Sequence, residues 1–128
     1  MSGPVWVPIA AIIVIHDRQI ARHGGASGLR DRELLEAACA RPINRVVYGE
    51  SSLDVLAAAY AYGIAKAHAF VDGNKRTAFV TALTFLRLNG QAFRPEPVEG
   101  VRAMEDLASG AMAEEAFARW LARGVRPL

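Results

Sequence analysis

Residues 53–89 read LDVLAAAYAYGIAKAHAFVDGNKRTAFVTALTFLRLN, and this stretch decides the fold. Leu53, Leu56, Tyr60 and Ile64 recur at helical spacing, which predicts an amphipathic helix running to about His68. A second helix is predicted from about Asn74 to Asn89, with Ala78, Ala82, Phe85 and Leu86 inward and Gly90 as its C′ residue. Between the two apolar helices lies a break, His68-Ala69-Phe70-Val71-Asp72-Gly73, where the helical pattern stops.

The remaining segments continue the helical pattern outward. Pro8 suits the first turn of a helix that carries Ile9, Ile12, Ile13 and His16 on one face and ends after His23 at Gly24-Gly25. Asp31 is a good N-cap for a second helix with Leu34, Leu35 and Ala38 inward, and Pro42 is expected to stop it. Residues 42–52 then read as irregular, with Val46-Val47-Tyr48 a short β-prone piece closed by Gly49, and Ser51 or Ser52 as the cap of the next helix. After Pro95 and Pro97 come a helix from about Val98 to Ser109 and a last one from about Ala113 to Arg123, presenting Phe117, Trp120 and Leu121. The expectation is an all-α fold, a bundle of about six helices forming a single domain over residues 1–128.

Composition agrees. The chain has 128 residues, 52% of them hydrophobic, and 24 alanines, the residue with the best helix propensity. One cysteine, Cys39, excludes an internal disulfide framework and fits a reducing, cytoplasmic setting. The apolar run Val5–Ile15 holds Pro8 and is too short to cross a bilayer; with no basic residue before it, it does not read as a secretory signal, so no membrane role is expected. The net charge is only +2, and thirteen scattered arginines form no dense basic run, so no direct nucleic-acid contact is expected.

The break between the helices carries the chemistry. Gly73-Asn74 opens a helix, whose N-terminus offers free N–H groups and partial positive charge to an anion. Gly73 lets the backbone approach a ligand, and Lys75 and Arg76 add a compact and a forked cation. Together these residues make a phosphate cradle. A carboxylate at Asp72 makes sense there if Mg²⁺ joins it to the phosphates. His68 supplies an imidazole, which can accept a proton from an incoming hydroxyl, and Phe70 plugs the loop into the core.

The segment resembles the signature of the Fic fold, His-x-Phe-x-(Asp/Glu)-Gly-Asn-(Gly/Lys)-Arg, and its Asn-Lys-Arg-Thr-Ala form resembles the Doc (death-on-curing) branch. Ile15-His16-Asp17, Gly24-Gly25, Gly28-Leu29-Arg30-Asp31, Leu34-Leu35-Glu36-Ala37-Ala38, Arg41-Pro42 and Phe85-Leu86-Arg87-Leu88-Asn89-Gly90 fall in the order this branch shows. The likeness spans roughly residues 10–95. It implies a toxin of a toxin–antitoxin pair, using ATP and Mg²⁺ to phosphorylate a threonine of elongation factor Tu and halt translation. His68 would be the general base, Asp72 the Mg²⁺ ligand, and Gly73, Asn74, Lys75 and Arg76 the anion loop, with Lys66 as a further nucleotide contact. Val46, Val47 and Tyr48 would be the flap that aligns the target by strand addition, or mere core cover.

Relatives that transfer AMP carry Gly in place of Lys75 and a second Arg in place of Phe79, so the resemblance favours phosphate transfer over AMP transfer. Some Fic proteins block their own site with a Ser/Thr-x-x-x-Glu-Gly/Asn helix. Here Glu99-Gly100 is preceded by Pro95 where the Ser or Thr should stand, which implies restraint by a separate Phd-like antitoxin. Two other readings remain at this point. His16-Asp17 hints at a metal-dependent phosphohydrolase, but only His23 and His68 remain as further histidines. A catalytically degenerate helical binding module is compatible with the same composition.

Overall fold

The computed structural model describes residues 3–128. Six helices follow one another: α1 (Ile9–His23), α2 (Arg32–Val47), α3 (Leu53–Ala67), α4 (Asn74–Leu88), α5 (Pro97–Ser109) and α6 (Glu114–Gly124). The expected all-α architecture is present. A two-stranded antiparallel ribbon, β1 (Gln91–Ala92) with β2 (Arg126–Pro127), is the one element the pattern did not announce.

α3 is the axis of the molecule. Leu56 to Ala61, Ile64 and Ala65 are all buried, so the helix is enclosed rather than one-faced. Its alanines make this possible, because a helix surface of methyl groups lets neighbours approach on several sides at no side-chain entropy cost. α2, α4, α5 and α6 all pack on it. The core joins Ile12, Leu35, Leu56, Phe70, Phe85, Leu107, Phe117 and Leu121 from every helix and the central loop. The N-terminal segment is tied to this core. Val5 exchanges two hydrogen bonds with the Asn89 side chain, and the Val7 N–H donates to the Tyr60 hydroxyl at 3.1 Å. Burial pushes the Tyr60 hydroxyl up to about 12.

Several expectations are corrected. Pro42 does not end α2; it lies buried inside the helix, which continues to Val47. The carbonyl that Pro42 cannot bond belongs to Ala38, and Gly63 of α3 packs there, with Ala38 O only 3.0 Å from where a Cβ would be. The missing N–H thus falls at a close helix–helix contact, and packing on α3 carries α2 onward. Val46 and Val47 are therefore the last turn of a helix and Tyr48 its C-cap, so the β-prone flap is absent from this segment. Val46 packs on the core, while Val47 and Tyr48 point to solvent. Leu34, expected inward, is exposed. Asp31 does cap α2, accepting from the Leu34 N–H at 3.2 Å. Ser52 holds the N-cap position of α3 without a capping bond; the Glu50 carboxylate accepts from the Ser51 and Ser52 N–H groups instead.

Candidate active site

α3 ends at His68, which adopts the left-handed conformation (φ 50°), the only non-glycine residue to do so among the described residues. Such a conformation costs on the order of 1 kcal/mol and persists only when neighbours hold it. Here the preceding loop does so. The Arg30 guanidinium donates to the His68 carbonyl, and the Arg30 and Asp31 N–H groups both donate to the Ala69 carbonyl, at 2.7 and 3.0 Å. Leu29 and Phe70 form a single antiparallel bridge, and the Val71 N–H donates to Gly28 O at 3.1 Å. His68 is thereby turned out of the core with its imidazole exposed.

The next residues are held from below and from within. Phe70 is buried and stacks on the buried His16 ring at 3.9 Å. His16 Nε2–H donates to the Asp72 carbonyl at 2.7 Å, and because a carbonyl only accepts, the proton must sit on Nε2. His16 thus supports the loop through a definite partner. Asn74 closes the loop: its side-chain oxygen accepts from the Phe70 N–H at 3.1 Å and its amide donates to Phe70 O at 3.0 Å.

What this leaves open is the start of α4. Gly73, left-handed at φ 75°, occupies the N-cap position and brings no side-chain cap. The Thr77 N–H is the first in α4 to find a partner, Gly73 O at 3.0 Å. Among the described residues nothing accepts from the N–H groups of Asn74, Lys75 and Arg76, which are therefore free for an anion. Arg76 donates to Gly24 O at 3.1 Å through one guanidinium nitrogen, while its buried Nε has no partner. Lys75 meets the exposed Glu105 carboxylate, at 3.6 Å.

Asp72 stands beside these amides. One carboxylate oxygen accepts from the Gly73 N–H at 2.8 Å and the other from the Ala26 N–H at 3.3 Å. The Gly73 and then the Ala26 hydrogen bond hold its carboxyl below the usual aspartate value, with lesser help from Arg76 and His16. The loop at Gly25 fits tightly here; a Cβ on Gly25 (φ 112°) would lie 2.6 Å from an Asp72 oxygen. A side chain at that position would strain the backbone and press on the Asp72 carboxylate.

His68, Asp72, Gly73, Asn74, Lys75 and Arg76 all line one cleft of about 630 Å³, together with Glu105, Ala108 and Ser109 of α5. Lys66 is not among them: its ammonium donates to the Ala108 carbonyl at 3.0 Å, above the Tyr62 ring. Tyr48 lines a different cavity, with Arg41, Asn44, Arg45 and Glu50. Arg30, Ala26 and the α5 wall escaped the residue-level reading. Arg30 and the glycines before it stood in the sequence only as part of the resemblance, and nothing local announces that they fold back onto residues 68–72.

Asp72 is an ionised, exposed carboxylate whose oxygens keep lone pairs spare, next to free N–H groups and two cations. That donor set suits Mg²⁺, which takes one or two carboxylates and completes its shell with phosphate oxygens and water. Among the described residues no three His, Cys, Asp or Glu side chains converge, so no protein-only metal cage of the phosphohydrolase kind is present.

The sequence pattern of the Fic/DOC family matches residues 6–86, and this chain belongs to that family. Its relatives place it in the Doc branch. It is 39% identical over 105 residues to "Protein kinase doc" of Escherichia phage P1, covering 81% of this chain and 79% of that protein. It is 50% identical over 70 residues to "Toxin Doc" of Mycolicibacterium smegmatis, covering 52% of this chain and 53% of that one.

Proposed function

We propose that this chain is the toxin of a toxin–antitoxin pair, a protein kinase that moves the γ-phosphate of ATP to a threonine hydroxyl of a translation factor such as elongation factor Tu. The observation that carries this reading is the uncapped start of α4, facing the same cleft as His68 and Asp72. The names of the relatives, a protein kinase and a toxin, support it.

In this reading the free N–H groups at the start of α4, with Lys75 and Arg76, receive the phosphate chain. Asp72 would hold the Mg²⁺ that accompanies the nucleotide, and such an ion would supply neutralisation of phosphate charge. His68 takes the proton of the incoming hydroxyl as the new O–P bond forms. The bond from the γ-phosphorus to its bridging oxygen breaks, and that oxygen leaves with ADP. The chain's contribution is chiefly positioning and electrostatic stabilisation. Phe79, half-buried against Trp120, supplies no second guanidinium to grip the outer phosphates in the AMP-transferring manner. Glu99 is exposed on the first turn of α5 and outside the residues lining the cleft, which supports restraint in trans by a Phd-like antitoxin. A translation factor as target implies action in the cytoplasm; no helix among the described residues is long and apolar enough to cross a membrane.

The test is transfer of label to elongation factor Tu from ATP labelled at the α- or the γ-phosphate, with His68→Ala as control. Label from γ alone, lost in the variant, is expected. Label from α alone would move the protein to AMP transfer.

A further inference from the structure

We infer that Arg30 is a positioning residue for the transfer step: its side chain fixes the direction in which His68 leaves the end of α3. This rests on the reading of His68 as the base and adds what holds that base in place.

The left-handed residue that ends a helix is usually Gly and sometimes Asn, because a Cβ is crowded in that conformation. α3 places a histidine there, at φ 50° and ψ 42°. Such a conformation persists only where the surroundings over-determine it, and it marks a residue whose direction matters. Among the described residues, the hydrogen bond that reaches residue 68 from another segment goes to its carbonyl, and none goes to its imidazole. No side chain therefore orients the ring in the way a third group orients the base in many catalytic sites. The backbone torsions of residue 68 set its direction instead.

The loop before α2 divides the holding of this segment between backbone and side chain. The Arg30 and Asp31 N–H groups grip the Ala69 carbonyl, Leu29 bridges Phe70, and the Val71 N–H donates to Gly28. Residues 69–71 are thus fixed by the loop's backbone alone. Residue 68 lies one step beyond that grip. Rotation about its Cα–C bond decides where its carbonyl points, and the Arg30 guanidinium is what holds that carbonyl. Arg30 is itself anchored on both sides: Leu29 sits in the bridge, and Asp31 caps α2 through the Leu34 N–H at 3.2 Å. A cation also suits the carbonyl end of a helix, where the dipole is negative. Arg30 is exposed, so its truncation leaves the packed core intact and the loss falls on residue 68.

The test is Arg30→Ala in the full chain, with Arg30→Lys as the rescue, since an ammonium can also donate to a single carbonyl. Two quantities are measured. One is the rate of γ-label transfer to elongation factor Tu at varied ATP. The other is the set of Cα and Cβ chemical shifts of His68 in ¹³C-labelled protein, which report its backbone torsions. In Arg30→Ala, kcat should fall about ten- to a hundredfold, as when a reacting group is misplaced, with KM for ATP changed less than about twofold because the α4 amides are untouched. The His68 shifts should move away from left-handed values, and Arg30→Lys should restore most of both. Unchanged His68 shifts in Arg30→Ala, or a KM that rises while kcat holds, would overturn the positioning role and leave the kinase reading standing. Absence of label transfer by the unaltered chain would overturn the kinase reading, and the His68 shifts would still decide what Arg30 holds.

Discussion

Asn74 separates two roles that the sequence could not tell apart. Read from the signature, it belongs to the anion-binding loop. In the structure both ends of its side chain are engaged by Phe70, the oxygen accepting from the N–H and the amide donating to the carbonyl. Its backbone N–H is free of that clamp and available to a ligand. Asn74→Ala therefore removes two hydrogen bonds and leaves both backbone groups of Phe70 without those partners, at a residue only 1% exposed. A polar group so stranded costs about 1–3 kcal/mol, and the bonds are part-buried, so some water reaches them. The expected loss is about 2–4 kcal/mol of unfolding free energy, or about 30- to 1000-fold in the unfolding constant. Urea denaturation followed by circular dichroism reads this directly. Tripolyphosphate binding, measured well below the transition, should change less than about threefold, since the backbone amide remains. If the unfolding midpoint stays put while anion binding collapses, the side chain serves the ligand and the loop-clamp reasoning is wrong.

Three further outcomes follow from the same geometry. Gly25→Ala should push the Asp72 carboxylate aside, because the new Cβ would sit 2.6 Å from its oxygen; we expect a modest stability loss of about 1–2 kcal/mol and a raised Mg²⁺ requirement for nucleotide binding, and an unaltered Mg²⁺ titration would count against the assigned role of Asp72. Glu114 is buried and accepts from both Arg41 and Arg45, joining the end of α2 to the start of α6. Glu114→Ala should cost about 1–3 kcal/mol in urea denaturation, below the full cost of breaking a buried pair because both arginines reach water; an unchanged midpoint would show that the clamp adds nothing. Asp72 has a folded-state pKa below its ordinary value, so its two backbone hydrogen bonds stabilise the fold above the ordinary aspartate range and lose that effect as pH falls through the folded-state value. Asp72→Asn should remove this part of the acid dependence in urea denaturation followed across pH; an identical pH profile in the variant and the unaltered chain would contradict it.

Much of the fold was legible because its signals are local. The periodicity of α3 and α4, the Asp31 cap, Gly24 after α1 and Gly90 after α4 each rest on a few neighbouring residues, and the helices begin and end close to where those signals stand. The misreadings share one cause, tertiary contact overriding a local rule. Pro42 is a helix breaker by its own chemistry, but α3 packs beside it and the helix continues. Val46 and Val47 favour strands, yet no strand lies there to pair with, and they complete a helix already held by its buried face. The ribbon of Gln91–Ala92 with Arg126–Pro127 joins segments far apart in sequence, two residues each, with no alternation to detect. At the site, the contiguous residues from His68 to Arg76 were readable as one unit because they converge through one turn. The residues that hold them, His16, Ala26 and Arg30, come from the first quarter of the chain. Lys66, two residues before His68, donates to Ala108, a contact no local pattern announces.

The account depends most on an anion meeting the first amides of α4. Titration of ¹⁵N-labelled protein with Mg²⁺ and ATP, followed by amide NMR, tests it residue by residue. The largest shifts are expected at Gly73, Asn74, Lys75 and Arg76. Shifts confined to the cavity around Arg41, Arg45 and Tyr48, with the α4 amides unmoved, would contradict it.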